Sequence, residues 1–175
     1  MTIDALKQQL PDHAKDLRIN LGVITSSTGL TPAQAWTVAV ASAVTTGNRD
    51  VIAAIEADAG PHLGAAALSA ARGAAAIMGM NNVYYRFVHF MGDAAEYGQM
   101  PARLRMQIIG NPGVAKLDFE LACLAASAIT GCEQCVRSHE KSVRELGATK
   151  DMVQDAVRIA AVLNGTAVGL SSPAL

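Results

Sequence analysis

Leu117-Asp118-Phe119-Glu120-Leu121-Ala122-Cys123-Leu124-Ala125-Ala126-Ser127-Ala128-Ile129-Thr130-Gly131-Cys132-Glu133-Gln134-Cys135 reads as one helix, a break, and the opening of a second helix. The run from Leu117 to Thr130 is almost wholly apolar and rich in Ala, which loses no side-chain entropy on entering a helix. Gly131 interrupts it. Cys132 then starts a helix that runs to Leu146 and is closed by Gly147, the residue type that most easily takes the left-handed turn after a helix.

Working outward, the same signals recur. Asp4 to Leu10 and Ala14 to about Leu21 read as short helices, and Thr25 to Gly29 as a loop. Thr31-Pro32-Ala33-Gln34 is a helix start: Thr31 caps, Pro32 suits the first helical position, and Gln34 completes a capping box. That helix should end near Gly47-Asn48, and another should run from about Asp50 to just before Gly60-Pro61. An Ala-rich helix from Leu63 to about Met80 is apolar nearly all round, the pattern of a buried helix. Asn81 to Phe90 carries Tyr84, Tyr85, Phe87 and Phe90, and Met91 to Met100 is a Gly-containing loop. Pro101 to Ile109 is expected to be helical, ending before Gly110-Asn111-Pro112-Gly113. Thr149 caps a last helix ending at Asn164-Gly165. No alternating run of β-branched residues is present, so the expected fold is all-α.

The chain also echoes itself. Ala41-Ser42-Ala43-Val44-Thr45 resembles Ala126-Ser127-Ala128-Ile129-Thr130, and residues 69–79 resemble 155–165. The expectation is a single domain, 1–175, holding a tandem repeat of a helical unit at roughly 31–80 and 117–165, with the cysteine pair only in the second copy.

Composition narrows the function classes. With 51% hydrophobic and 17% charged residues, the chain can bury a core, which excludes a disordered one. A net charge of −1 and the lack of any basic stripe argue against nucleic acid or an anionic membrane as partner. The first residues carry neither a charged region nor an apolar region of a secretory signal, and no apolar stretch is clean enough to span a bilayer, so the expected location is cytoplasmic. Three cysteines cannot all pair within one chain, and in a reducing compartment Cys-x-x-Cys is a catalytic or metal-binding pattern before it is a structural disulfide.

The chemistry concentrates in Gly131-Cys132-Glu133-Gln134-Cys135-Val136-Arg137-Ser138-His139. Cys132 is placed in the first turn of a helix, where backbone N–H groups and the helix dipole favour a thiolate. Cys135 is three residues on, on the same side, within reach of a disulfide. His139 is one turn beyond Cys135 and can take the thiol proton or stabilise the thiolate. Two thiols and a base on one stripe form a thiol-exchange arrangement, in which one sulfur attacks and the other resolves. The helix start favours Cys132 as the reactive thiolate and the His139 spacing favours Cys135, so the order stays open. Glu120, on the apolar helix leading to the pair, is the other candidate: burial would raise its pKa into the range useful for proton transfer.

The bland readings are two buried thiols acting as small hydrophobes, a surface His139 and a solvated Glu120. Cys123, among Leu and Ala, reads as an inert buried thiol. Zinc held by Cys123, Cys132, Cys135 and His139 has the right donor types but no second Cys-x-x-Cys. The c-type haem signature fails at Val136, and a thioredoxin-like fold would need a βαβ pattern. His13, His62 and His89 have no companion pattern and read as surface or packing residues.

Glu120, eleven residues, Cys132-x-x-Cys135, three residues, His139 and then Gly147 resembles the signature of the AhpD-like and carboxymuconolactone decarboxylase superfamily. The likeness extends over residues 1–7, 74–86 and 104–113, and so over essentially the whole chain. It implies an all-helical fold with a tandem repeat, a homotrimer, and a lipoyl-dependent hydroperoxide reductase. Electrons would pass from a dihydrolipoyl group, carried on the lipoylated acyltransferase of a 2-oxoacid dehydrogenase complex, to the peroxiredoxin AhpC, with weak reduction of hydroperoxide by the protein itself. No bound cofactor or metal is implied. The resemblance gives Cys135 the sulfenic acid or mixed disulfide, Cys132 the proton-donor and partner role, and Glu120 and His139 a proton relay. Some members carry His between the cysteines; here Gln134 stands there and cannot shuttle protons. Two alternatives are a carboxymuconolactone decarboxylase-like enzyme, whose chemistry needs no redox dithiol, and a redox-sensing or zinc-binding module.

Overall fold

Capping side chains, Thr31 and Thr149 among them, set where several of the chain's helices begin. In the computed structural model, which describes residues 1–92 and 96–172, the order is α1 (Ile3–Gln9), α2 (Asp16–Asn20), α3 (Val23–Ser26), α4 (Pro32–Thr46), α5 (Arg49–Ala59), α6 (Ala65–Met91), α7 (Gln107–Gly110), α8 (Lys116–Thr130), α9 (Glu133–Glu145) and α10 (Lys150–Ser171). No strand occurs among the described residues, and the fold is all-α. Thr31 caps α4 through a capping box with Gln34, as its sequence predicts, and Thr149 caps α10.

α4 and α8 form the inner pair. α4 is buried continuously from Ala35 to Ala43 and α8 from Phe119 to Ser127. Both are flanked by α6 and α10, and α9 packs on α8 and α6. Small side chains let these backbones approach closely, while Phe119, Leu121, Leu124, Ile159 and Leu163 fill the space between them. Each such fully buried side chain contributes roughly 1.5–3 kcal/mol relative to exposure.

Several boundaries differ from expectation. The segment expected to be helical from Ala14 to Leu21 is a single 3-10 turn at Asp12–Ala14 followed by α2, and α3 reaches into the expected Thr25–Gly29 loop. α6 does not stop at Met80 but continues to Met91, because Asn81 and Asn82 are buried against the protein rather than exposed as helix breakers. Only Gln107–Gly110 of the expected Pro101–Ile109 helix forms, and Arg103 adopts a positive φ of 53°, which a helix cannot contain. α10 runs past Asn164-Gly165 to Ser171: a Cβ on Gly165 would stand 3.2 Å from Leu17 Cδ2, so this glycine serves close packing rather than termination. Of the expected Met91–Met100 loop, residues 93–95 lie outside the described residues. No helix among the described residues is long and apolar enough to cross a membrane.

Candidate functional site

The site is built where α8 ends and α9 begins. Gly131 takes φ 69°, a left-handed conformation open to glycine at no steric cost, and its N–H bonds back to Ser127 and Ala128 carbonyls. Cys132 follows as the N-cap of α9, one residue before the first turn in which its sequence places it, and its Sγ accepts from the Cys135 backbone N–H at 3.4 Å. The sulfur therefore still sits at the positive end of a helix.

α6 holds this corner from the side. Asn82 Nδ2 donates to Thr130 Oγ1 at 2.7 Å, Arg86 Nη1 donates to the Thr130 carbonyl at 2.6 Å, and Ser127 Oγ donates to Asn82 Oδ1 at 3.2 Å. Each bond ties the last turn of α8, and hence the Gly131 turn, to a long rigid helix.

Cys132 and Cys135 are joined by a disulfide with their Cα atoms 5.3 Å apart. The two sulfurs are not equivalent. Cys132 has no exposed surface, while Cys135 is 7% exposed and lines a cleft of about 300 Å³. An entering molecule meets Cys135 first. The accessibility difference bears on the choice that helix dipole and His139 spacing left open.

Glu120 and His139 share that cleft. Glu120 is buried, and its carboxylate accepts from His139 Nδ1 at 2.7 Å and from Lys116 Nζ at 2.9 Å. Burial pushes the carboxyl pKa up, but the hydrogen bonds and charges of His139 and Lys116 outweigh it and hold the carboxyl below its ordinary value. The expectation that burial would raise it is thus overturned by the hydrogen bonds from His139 and Lys116; Lys116 stands four residues before Glu120, a spacing that could have signalled the pair. His139 Nε2 lies 3.1 Å from Met78 Sδ on α6. Neither ring nitrogen is hydrogen-bonded to a cysteine sulfur, so His139 meets the cysteines across the cleft rather than through a direct bond along α9. Nothing in the apolar sequence around Met78 signals this contact.

Other candidates fall elsewhere. Cys123 is fully buried, and its thiol pKa is pushed well up by burial and by the Glu120 charge, with Lys116 opposing; it is inert. Among the described residues no three His, Cys, Asp or Glu side chains converge as a metal site, so the four donors of a zinc reading are not gathered. His62 stacks on Trp36 with ring centroids 5.2 Å apart, and His89 Nε2 lies 3.6 Å from Glu133. Gln134 lines the cleft beside Cys135.

Comparison with known proteins finds relatives along the whole chain. The model of the carboxymuconolactone decarboxylase family matches residues 95–171, the half that carries the disulfide. Alkyl hydroperoxide reductase AhpD of Rhodospirillum centenum is 54% identical over 174 residues, covering 99% of this chain and 93% of the relative. The proteins of the same name from Bradyrhizobium sp. (strain BTAi1) and Gluconacetobacter diazotrophicus are 51% and 52% identical, covering 100% and 99% of this chain and 96% and 95% of the relatives. At such identity along the whole chain, the protein belongs to the AhpD family.

Proposed function

We propose that the protein is an antioxidant thiol–disulfide oxidoreductase of the alkyl hydroperoxide reductase type, with Cys132, Cys135, His139 and Glu120 as its catalytic residues. The observation that carries the reading is the disulfide itself: one sulfur open to a cleft, the other buried at a helix N-terminus, with an imidazole–carboxylate pair in the same cleft.

In the reductive half, one thiolate of a dihydrolipoyl group attacks Cys135 Sγ. The S–S bond breaks and Cys132 leaves as a thiolate, stabilised by the Cys135 N–H and the α9 dipole. The second lipoyl thiolate attacks its own sulfur in the mixed disulfide, closing the lipoyl ring and releasing Cys135 as a thiolate. In the oxidative half, Cys135 attacks the outer oxygen of a hydroperoxide. The O–O bond breaks, Cys135 becomes a sulfenic acid, and the alcohol leaves with a proton supplied through His139, whose ring Glu120 orients. The Cys132 thiol then attacks the sulfenic sulfur, restoring the disulfide and releasing water. Handing the electrons to AhpC is the same exchange with the peroxiredoxin's disulfide as acceptor. The lipoyl group acts as substrate, carried on the acyltransferase of a 2-oxoacid dehydrogenase complex.

A homotrimer suits the exposed apolar side chains Val83, Phe87, Phe90 and Met91 near the end of α6, with Tyr97 and Met100 after it, which together need a covering partner.

The test is a thiol titration of the native protein. Two thiols should be lost on adding hydroperoxide to the reduced protein and regained with dihydrolipoamide. Failure of peroxide to consume thiols, or of dihydrolipoamide to restore them, overturns the reading. Decarboxylation of a lactone acid by a doubly Cys-substituted protein would favour the decarboxylase reading instead.

A further inference from the structure

Two consecutive asparagines on α6 behave oppositely. Asn82 is buried with both ends of its amide bonded, donating to Thr130 and accepting from Ser127. Asn81 is also buried, at 5% exposed, yet its side-chain oxygen has no hydrogen-bond partner. A buried polar atom left unpaired costs roughly 1–3 kcal/mol, and in native proteins such atoms call for an explanation. Asn81 lines the cleft into which Cys135 opens. It lies one helical turn from Met78, whose sulfur touches His139 Nε2. Met78, Asn81, Asn82 and Tyr85 form one stripe of α6 facing this cleft. Of the other polar side chains that line the cleft, Glu120 and His139 are already bonded to each other, and none of Gln134, Ser138 and Ser142 reaches the Asn81 oxygen.

We propose that Asn81 is the substrate-positioning residue of the oxidative half-reaction: its carboxamide hydrogen-bonds the hydroperoxyl group of the substrate and holds the O–O bond in line with Cys135 Sγ. The inference rests on the peroxidase reading above. A carboxamide suits this ligand because a hydroperoxyl group carries both an O–H to donate and oxygens to accept, and the amide offers the complement of each. The apolar flank of the cleft, Met78, Met106 and Ile109, accommodates the alkyl part. Asn81 exchanges no proton and forms no bond to sulfur; it acts by orientation.

The test separates the two half-reactions. In Asn81→Leu and Asn81→Ala, the rate of thiol oxidation by cumene hydroperoxide in the pre-reduced protein should fall about five- to tenfold, the worth of one hydrogen bond. Reduction of the Cys132–Cys135 disulfide by dihydrolipoamide should stay within twofold of wild type. The melting temperature of Asn81→Leu should hold or rise, because an unpaired buried oxygen is removed. Unchanged peroxide oxidation, or equal loss in both half-reactions, overturns the assignment. Loss confined to the dihydrolipoamide half overturns it too, by giving Asn81 to the lipoyl amide. Failure of the underlying reading is seen separately, as a wild-type protein whose reduced thiols do not react with the peroxide.

Discussion

His139 Nδ1 and Glu120 Oε2 lie 2.7 Å apart although they stand on different helices, α9 and α8, joined by a glycine turn. The bond fixes the ring, directs Nε2 away from Glu120, and leaves that nitrogen as the atom that can trade a proton in the cleft. Substituting His139 by Gln should slow peroxide-driven oxidation by about 10²–10⁴-fold, the usual worth of a positioned acid–base group, with an unchanged far-ultraviolet circular dichroism spectrum. A rate close to wild type would remove His139 from the chemistry.

Because His139 and Lys116 hold the Glu120 carboxyl below its ordinary value, Glu120 adds stability with a definite pH signature. A carboxyl depressed in the folded state stabilises above its unfolded pKa, and the contribution is lost as pH falls through the folded value. The urea midpoint of wild type relative to Glu120→Gln should therefore be highest near neutrality and should converge below about pH 4. In Lys116→Met one depressing partner is gone and the folded value lies nearer the unfolded one, so the convergence should be complete at higher pH. A difference that stays constant from pH 7 to pH 2 would show that the ion pair contributes nothing to folding.

Cys132 is wholly buried and Cys135 opens to the cleft, so the two serine variants should fail differently. Both should abolish turnover with dihydrolipoamide. Cys132→Ser should still accumulate a sulfenic acid on Cys135, trapped by dimedone and located by mass spectrometry, because the attacking sulfur remains and only its resolving partner is lost. Cys135→Ser should show no such adduct on Cys132. The reverse labelling pattern would exchange the two roles.

Local signals were legible where local chemistry decides the outcome. The Thr31–Gln34 capping box, the Gly131 break and the Gly147 stop all stand where their residue types place them. Tertiary contacts decided the rest. Asn81-Asn82 and Asn164-Gly165 read as helix ends, yet Asn82 is bonded across to α8, and Gly165 and Gly169 leave room for Leu17 and Ala14. The four candidate residues were legible because a thiol pair, an imidazole and a carboxyl are distinctive types. Met78 and Asn81 were not, because a thioether and an amide in an Ala-rich helix look like packing until a neighbouring helix is seen to stand against them.

The glycine ending α8 has a counterpart ending α4. Gly47 and Gly131 take φ of 70° and 69°, and each is followed by a capping side chain, Asn48 in one case and Cys132 in the other. Together with the sequence echoes, this correspondence leads us to propose that roughly 31–80 and 117–165 are two copies of one unit. A Cβ at either glycine would meet nothing within 4 Å, so alanine there costs only the left-handed backbone, about 1–2 kcal/mol. Gly47→Ala and Gly131→Ala should thus lower the melting temperature by similar amounts, a few degrees each. Only Gly131→Ala should also slow peroxide oxidation, because it displaces the cap residue that carries a sulfur, whereas Asn48 carries none. Equal loss of rate in both variants would show that general loosening of the fold, and not the placement of Cys132, limits the reaction.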